Sequence, residues 1–169
     1  MIPSVCNTVT GMEKPRAVLF DAYGTLFDVY SVGMLAEQLF PSQGAALAKL
    51  WRDKQIEYSR LLTTCNDGAH YLPFWSVTEK ALQYAIESIA TCADSTRASS
   101  QNSLKSEPTS LLQAHAQLMN QYRHLSAYPE NREVLAELKT RGIVTGILSN
   151  GDPAMLDVAV KSAGLADLL

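Results

Sequence analysis

The chain has few of the features that mark secreted, metal-binding or nucleic-acid-binding proteins. Its 169 residues include only three cysteines, Cys6, Cys65 and Cys92, an odd number with no CxxC pair. This pattern disfavours a disulfide framework and predicts free thiols in a reducing cytoplasm. The net charge of −3 does not indicate the basic surface that binds nucleic acid. The spacing of the three histidines does not match that of metal ligands. We predict a cytoplasmic protein with no metal, no cofactor and no nucleic-acid partner.

Long apolar runs are also missing. The N-terminus, MIPSVCNTVTGMEKPRAVLF, has no basic start followed by an apolar stretch, so we predict no signal peptide. No apolar run is long enough to cross a bilayer, which predicts no membrane partner. Hydrophobic residues make up 47% and charged residues 18% of the chain, a globular balance. Residues 1–14 are interpreted as an N-terminal extension.

Two short apolar runs predict strands of an α/β fold. Residues 16–20 (RAVLF) are followed by Asp21, and residues 143–148 (IVTGIL) are followed by Ser149. Continuous apolar runs of this length are typical of buried parallel strands. A predicted helix over 130–140 precedes the second run, and another follows it, with an aspartate N-cap and a proline in the first turn. Helix, strand and helix joined by short loops indicate an open parallel sheet.

A long helical stretch separates the two strands. Apolar residues recur at helical spacing from Leu47 to Leu62. We interpret residues 28–125 as an inserted helical cap domain, and residues 15–27 and 126–169 as the core. The Ser/Thr-rich segment 91–109 is predicted to be a flexible linker within the cap.

Asp21 is the first candidate catalytic residue, because ligands of open α/β sheets bind at the carboxyl ends of the strands. In the turn that follows, Gly24 permits a positive φ, and the Thr25 hydroxyl can hydrogen-bond a carboxylate. Strand position alone leaves open that Asp21 merely caps a turn.

Longer sequence segments indicate a specific family. AVLFDAYGTLFDVYSV resembles the first motif of the haloacid dehalogenase superfamily, whose aspartate attacks the substrate, and GILSNGDP resembles its second motif. LWRDKQIEYSRLL resembles the arginine helix of L-2-haloacid dehalogenases, and AYPENREVLAELKTRG their approach to the second strand. The resemblance covers residues 16–169 apart from 91–109. It implies a Rossmann-like parallel sheet, incomplete here, with an inserted helical cap.

The residue at position 23 separates two branches of that superfamily. Its phosphatases carry a second aspartate two residues after the nucleophile, which protonates the leaving alkoxide. Here the position is Tyr23, and a departing halide needs no proton. The resemblance therefore implies metal-independent hydrolysis of L-2-haloacids to D-2-hydroxyacids through an ester on Asp21. The alternatives are a magnesium-dependent phosphatase, or an inactive fragment that serves only as an interaction module.

The resemblance also assigns roles. Arg52 would receive the halide or steady the substrate, Ser149 would hold the substrate carboxylate, and Asn150 would assist the halide. Asp53 departs from the amide usual in the family and is left out of the site. The residues implied in catalysis are Asp21, Thr25, Arg52, Ser149 and Asn150. Those implied in substrate binding are Ala22, Tyr23, Arg52, Ile56, Phe74, Ser149 and Asn150.

No residue here corresponds to the family's third-motif lysine or its fourth-motif cluster, so the chain is interpreted as truncated at its C-terminus. The complete protein is expected to bind a small 2-haloacid and to form a homodimer. We expect the 169-residue chain alone to lack dehalogenase activity, because the third-motif lysine is missing. We also expect it either to aggregate or to self-associate, because unpaired apolar strand edges invite pairing with another chain.

Overall fold

A computed structural model of the chain describes residues 14–97 and 108–169. In chain order the elements are β1 (Ala17–Phe20), α1 (Gly33–Leu39), α2 (Gly44–Thr64), a 3-10 turn (Cys65–Gly68), α3 (Phe74–Arg97), α4 (Pro108–Tyr122), α5 (Asn131–Thr140), β2 (Val144–Ile147) and α6 (Pro153–Ser162). The predicted N-terminal extension lies outside the described residues, apart from Lys14. No described helix is both long and apolar enough to cross a membrane.

The two predicted strands form a parallel pair, in the register Ala17 to Val144. This confirms the mixed α/β class, but the predicted burial of both strands is wrong. Leu19, Val144 and Leu148 are 63%, 67% and 70% exposed. Within the described residues the sheet has two strands, so no further strand or helix covers these side chains.

The helices flanking β2 begin and end close to where the sequence predicts. Gly142, after α5, has a φ of 69°, the left-handed conformation that ends many helices. Asp152 is the N-cap of α6, but its side chain makes no cap bond to that helix. Instead its Oδ2 accepts a hydrogen bond from the backbone N–H of Trp75, at 3.1 Å. The carboxylate therefore ties the start of α6 to the start of α3.

The core lies where the turn after β1 meets the helices that follow it. α2 packs against both α1 and α3, and the fully buried side chains Leu26, Phe27, Leu47, Leu82 and Leu118 belong to one cluster. This packing anchors α2, and with it the predicted site residue Arg52, beside the end of β1.

The structure has helix at both ends of the predicted linker. Residues 91–97 continue α3, and α4 already begins at Pro108. No glycine or proline occurs between Phe74 and Pro108, and serine and threonine alone are only mildly unfavourable in a helix. The remainder of the predicted linker, residues 98–107, lies outside the described residues.

Candidate functional site

A cavity of about 210 Å³ opens at the carboxyl ends of both strands, the edge at which open α/β sheets bind ligands. It is lined by Asp21, Tyr23, Arg52, Gln55, Ile56, Ser59, Arg60, Phe74, Ser149 and Asn150. Seven of the nine predicted site residues are in this lining. Ala22 and Thr25 are not.

The turn after β1 explains why these two residues lie apart from the cavity. Ala22 is fully buried, and its carbonyl oxygen accepts hydrogen bonds from the N–H groups of Thr25, Leu26 and Phe27, at 3.3, 2.9 and 2.9 Å. Gly24 has a φ of 103°, a conformation that side chains rarely adopt. Ala22 thus organises the turn, and the side chain of Thr25 is exposed outside the cavity. The roles of Ala22 in substrate binding and of Thr25 in catalysis stay predictions.

Arg52 is held in place by two uncharged acceptors. Its Nη1 donates to Gln55 Oε1 at 2.7 Å, and its Nη2 donates to the carbonyl oxygen of Tyr23 at 2.8 Å. The guanidinium makes no ion pair with the described residues. Its charge is therefore oriented toward the cavity without being neutralised, which suits the binding of an anion.

Gln55, which was not predicted as a site residue, holds Arg52 in position. Only 1% of Gln55 is exposed, and its Nε2 donates to Thr78 Oγ1 at 2.6 Å and to Tyr122 Oη at 3.0 Å. Thr78 Oγ1 in turn donates to the carbonyl oxygen of Phe74 at 2.8 Å. One feature of the sequence could have identified Gln55: it is a glutamine four residues after Trp51, within the apolar stripe of α2. A buried polar side chain of this kind must be satisfied, and here it connects α2, α3 and α4.

Replacing Gln55 with leucine is expected to lower the free energy of unfolding by about 1–3 kcal/mol, because Tyr122 Oη and Arg52 Nη1 each lose a buried partner. Urea unfolding measures the change. The matched control is Gln83→Leu, because Gln83 is exposed and, among the described residues, its side chain bonds Glu87, four residues along α3. We expect the control to change stability by no more than about 0.5 kcal/mol. Equal effects of the two variants would contradict the supporting role of Gln55.

An aromatic wall closes one side of the cavity. The Tyr23 ring stacks on Tyr122 with centroids 5.7 Å apart and planes 15° apart, and it contacts Phe74 with centroids 5.3 Å apart. Burial raises the pKa of Tyr23 well above its usual value, helped by Tyr122 and the charge of Asp152. Burial likewise raises the pKa of Tyr122 to about 12. Both phenols therefore stay protonated well above pH 7 and add no negative charge to the site.

The loop after β2 completes the site. Ser149 Oγ accepts a hydrogen bond from the Gly151 N–H at 3.1 Å, an arrangement in which the hydroxyl hydrogen can still be donated to an anion. Ser149, Asn150, Phe74 and Ser59 also line an adjoining cavity of about 300 Å³. The two cavities therefore share a wall built from α2, α3 and this loop.

The donor set of the main cavity favours anions over metal ions. Among the described residues, its lining contains one carboxylate, Asp21, and two guanidiniums, Arg52 and Arg60. Mg²⁺ and Ca²⁺ prefer several oxygen ligands, and two nearby guanidiniums would repel a cation. No three His, Cys, Asp or Glu side chains of residues 14–97 and 108–169 lie close enough together to hold a metal. Ser59 and Arg60, like Gln55, were not predicted from the sequence, although they lie seven and eight residues after Arg52 on the same helix.

Comparison with known sequences identifies relatives. (S)-2-haloacid dehalogenase from Xanthobacter autotrophicus is 38% identical over 152 residues, which are 90% of this chain and 51% of the relative. (S)-2-haloacid dehalogenase 4A from Burkholderia cepacia is 36% identical over 158 residues, 94% of this chain and 60% of the relative. The chain thus spans between half and about three fifths of the length of these curated relatives.

Comparison with solved structures identifies L-2-haloacid dehalogenases of the same fold. The L-2-haloacid dehalogenase RSc1362 superposes with a TM-score of 0.73 at 50% identity, over 93% of this chain and 62% of that one. The X. autotrophicus L-2-haloacid dehalogenase with chloropropionic acid covalently bound gives a TM-score of 0.72 at 36% identity, over 92% and 55% of the two chains. Residues 15–169 match the family of haloacid dehalogenase-like hydrolases. With this match over almost its whole length, the chain belongs to the haloacid dehalogenase-like hydrolase family.

Proposed function

We propose that the protein containing this chain hydrolyses L-2-haloacids to D-2-hydroxyacids through an ester formed on Asp21. One observation carries the proposal: the cavity places a single carboxylate, Asp21, together with the unneutralised guanidinium of Arg52 and an apolar wall. The comparisons support it, because a relative of the same fold is described with chloropropionic acid covalently bound. A nucleophile, an anion site and an apolar surface are what displacement of a halide requires.

The proposed reaction has two steps. A carboxylate oxygen of Asp21 attacks Cα of the substrate, and the carbon–halogen bond breaks as the carbon–oxygen bond forms, so that halide leaves with the bonding electrons. Cα is thereby inverted. Water then attacks the aspartyl carbonyl carbon and cleaves the bond from that carbon to the ester oxygen. The products are a D-2-hydroxyacid, halide and a proton released to solvent, with Asp21 regenerated.

Other lining residues have proposed tasks in this scheme. Arg52 receives the halide, assisted by Asn150, and Ser149 donates to the substrate carboxylate. Gly24 and Thr25 use their N–H groups within the turn, so the turn N–H groups that remain as candidate donors are those of Ala22 and Tyr23. Apolar contacts to the Cα substituent come from Tyr23, Ile56 and Phe74.

We also propose that residues 28–125 form a cap inserted into the core. The chain enters and leaves this segment at one place, because the Asp28 N–H donates to the Ser126 carbonyl at 2.8 Å and Phe27 pairs with Ala127. The segment contributes Arg52 and Phe74 to the cavity, and the core contributes Asp21 and Ser149. The site would then lie between the two parts. A homodimer and a cytoplasmic location stay predictions.

The full-length protein is expected to release chloride from L-2-chloropropionate at the same rate with and without EDTA. The physical reason is that a halide, the anion of a strong acid, needs neither protonation nor a Lewis acid to depart. Chloride is measured together with the configuration of the lactate formed. A rate that disappears in EDTA and returns with Mg²⁺, accompanied by hydrolysis of an aryl phosphate, would instead support the phosphatase alternative.

A further inference from the structure

We propose that the cavity contains a second anion subsite, formed by Arg60 and the hydroxyl of Ser59, and that it selects 2-haloacids that carry a second carboxylate. This inference rests on the proposed function and names its substrate class: short 2-halo-dicarboxylic acids. One carboxylate would lie near Ser149, and the other would lie at Arg60.

The spacing along α2 is the first observation. Arg52, Ile56 and Arg60 follow one another at intervals of four residues, and all three line the cavity. Residues at this interval lie on one face of a helix, and a rise of 1.5 Å per residue separates the backbone positions of the two arginines by about 12 Å. The helix therefore presents a cation, an apolar side chain and a second cation in a row. A 2-haloacid with a second carboxylate has the complementary order, with its halogen at Arg52, its carbon chain at Ile56 and its second carboxylate at Arg60.

The second observation is the absence of a partner for this charge. Arg60 makes no ion pair within the described part of the chain, and its neighbour Glu57 is paired with Lys54. The cavity lining, with Asp21 as its one described carboxylate and two arginines, has a net charge of +1. This net positive charge favours an anionic ligand in the cavity.

The third observation concerns Ser59, which lines the cavity beside Arg60. Its Oγ is buried and is the one such side-chain atom among the described residues with no hydrogen-bond partner. An unsatisfied buried hydroxyl costs free energy, and native proteins have few of them. A carboxylate oxygen held by Arg60 would accept its hydrogen. The volume of about 210 Å³ lies below the range of drug-sized ligands, which restricts the ligand to a short chain.

Binding tests the subsite independently of turnover. The probes are butyrate and glutarate, which is butyrate with a second carboxylate on its terminal carbon, and their affinities for the full chain are compared by NMR titration. We expect glutarate to bind more tightly, and Arg60→Met to reduce the glutarate preference about fivefold, the size typical of one partly exposed ion pair. The preference should also weaken at high salt. The matched control is Arg141→Met, because Arg141 is the C-cap of α5, does not line this cavity and pairs with Glu137. It should leave the preference unchanged.

Ser59→Ala separates ligand binding from structural support. If Ser59 serves the ligand, the variant loses glutarate preference while its thermal stability stays the same or rises, because an unsatisfied hydroxyl has been removed. A loss of stability with an unchanged preference would overturn the role of Ser59.

The last experiment measures turnover. In the full-length protein, Arg60→Met should lower kcat/KM for L-2-chloroglutarate relative to L-2-chlorobutyrate by a similar factor. An equal affinity for glutarate and butyrate, or a preference unaffected by Arg60→Met, would overturn the subsite even if the protein is a dehalogenase. Arg60-dependent glutarate binding without any halide release would retain the subsite and reject the proposed function.

Discussion

Replacing Asp21 with asparagine in the full-length protein is expected to reduce halide release by a factor on the order of 10⁴ or more, the size seen when a covalent nucleophile is removed. A neutral amide is a far weaker nucleophile than a carboxylate, and the described part of the cavity lining contains no other carboxylate that could replace it. The measurement is chloride release under substrate saturation. Because Asp21 is an exposed side chain at the end of β1, the variant should unfold at nearly the temperature of the parent.

Two experiments sharpen this result. Asp53→Asn is the matched control, since Asp53 is an exposed carboxylate on α2 that pairs with Lys49 outside the cavity, and its activity should equal that of the parent. In heavy-oxygen water, a single turnover should place solvent oxygen on Asp21 and not on the hydroxyacid. Label found first in the hydroxyacid would mean that water attacks Cα directly, and the covalent assignment would then be wrong.

The largest expected effect on stability comes from Gly44→Ala, at the start of α2. A Cβ at this position would lie 2.2 Å from the Glu37 backbone nitrogen and 2.4 Å from its Cα. These are backbone atoms of α1, which cannot rotate away, so α1 and α2 would have to separate. The Gly44 N–H would also lose its 2.9 Å hydrogen bond to the Glu37 carboxylate. We expect the free energy of unfolding to fall by about 3 kcal/mol, at the upper end of overpacking effects.

Gly33→Ala is the control for that substitution. Gly33 opens α1, has no positive φ, and a Cβ there would meet nothing within 4 Å. Alanine should therefore stabilise the protein by about 0.5–1 kcal/mol, because it reduces the freedom of the unfolded chain. Urea unfolding of both variants measures the difference. Similar stabilities for the two would show that α1 and α2 are not in the close contact described, and would remove the anchor of Arg52.

The sequence by itself determined the parts of this protein that depend on local preferences. The two apolar runs became β1 and β2, the helices around β2 begin and end near their predicted caps, and Gly24 adopts the positive φ expected of the turn after Asp21. The end of a strand and the face of a helix follow from residue spacing along the chain. For that reason seven of the nine predicted site residues line one cavity, although their chemical roles remain predictions.

The tertiary structure decided which side chains become partners. Gln55 bonds Tyr122 across 67 positions, and Asp152 accepts from Trp75 across 77. Arg60 and Ser59 lie in the cavity because α1 and α3 fix the position and orientation of α2. The exposure of Leu19, Val144 and Leu148 likewise depends on what packs over the sheet. Local spacing sets the direction in which a side chain leaves its own helix or strand, but the group that it meets is set by the packing of distant segments, which no short window of sequence contains.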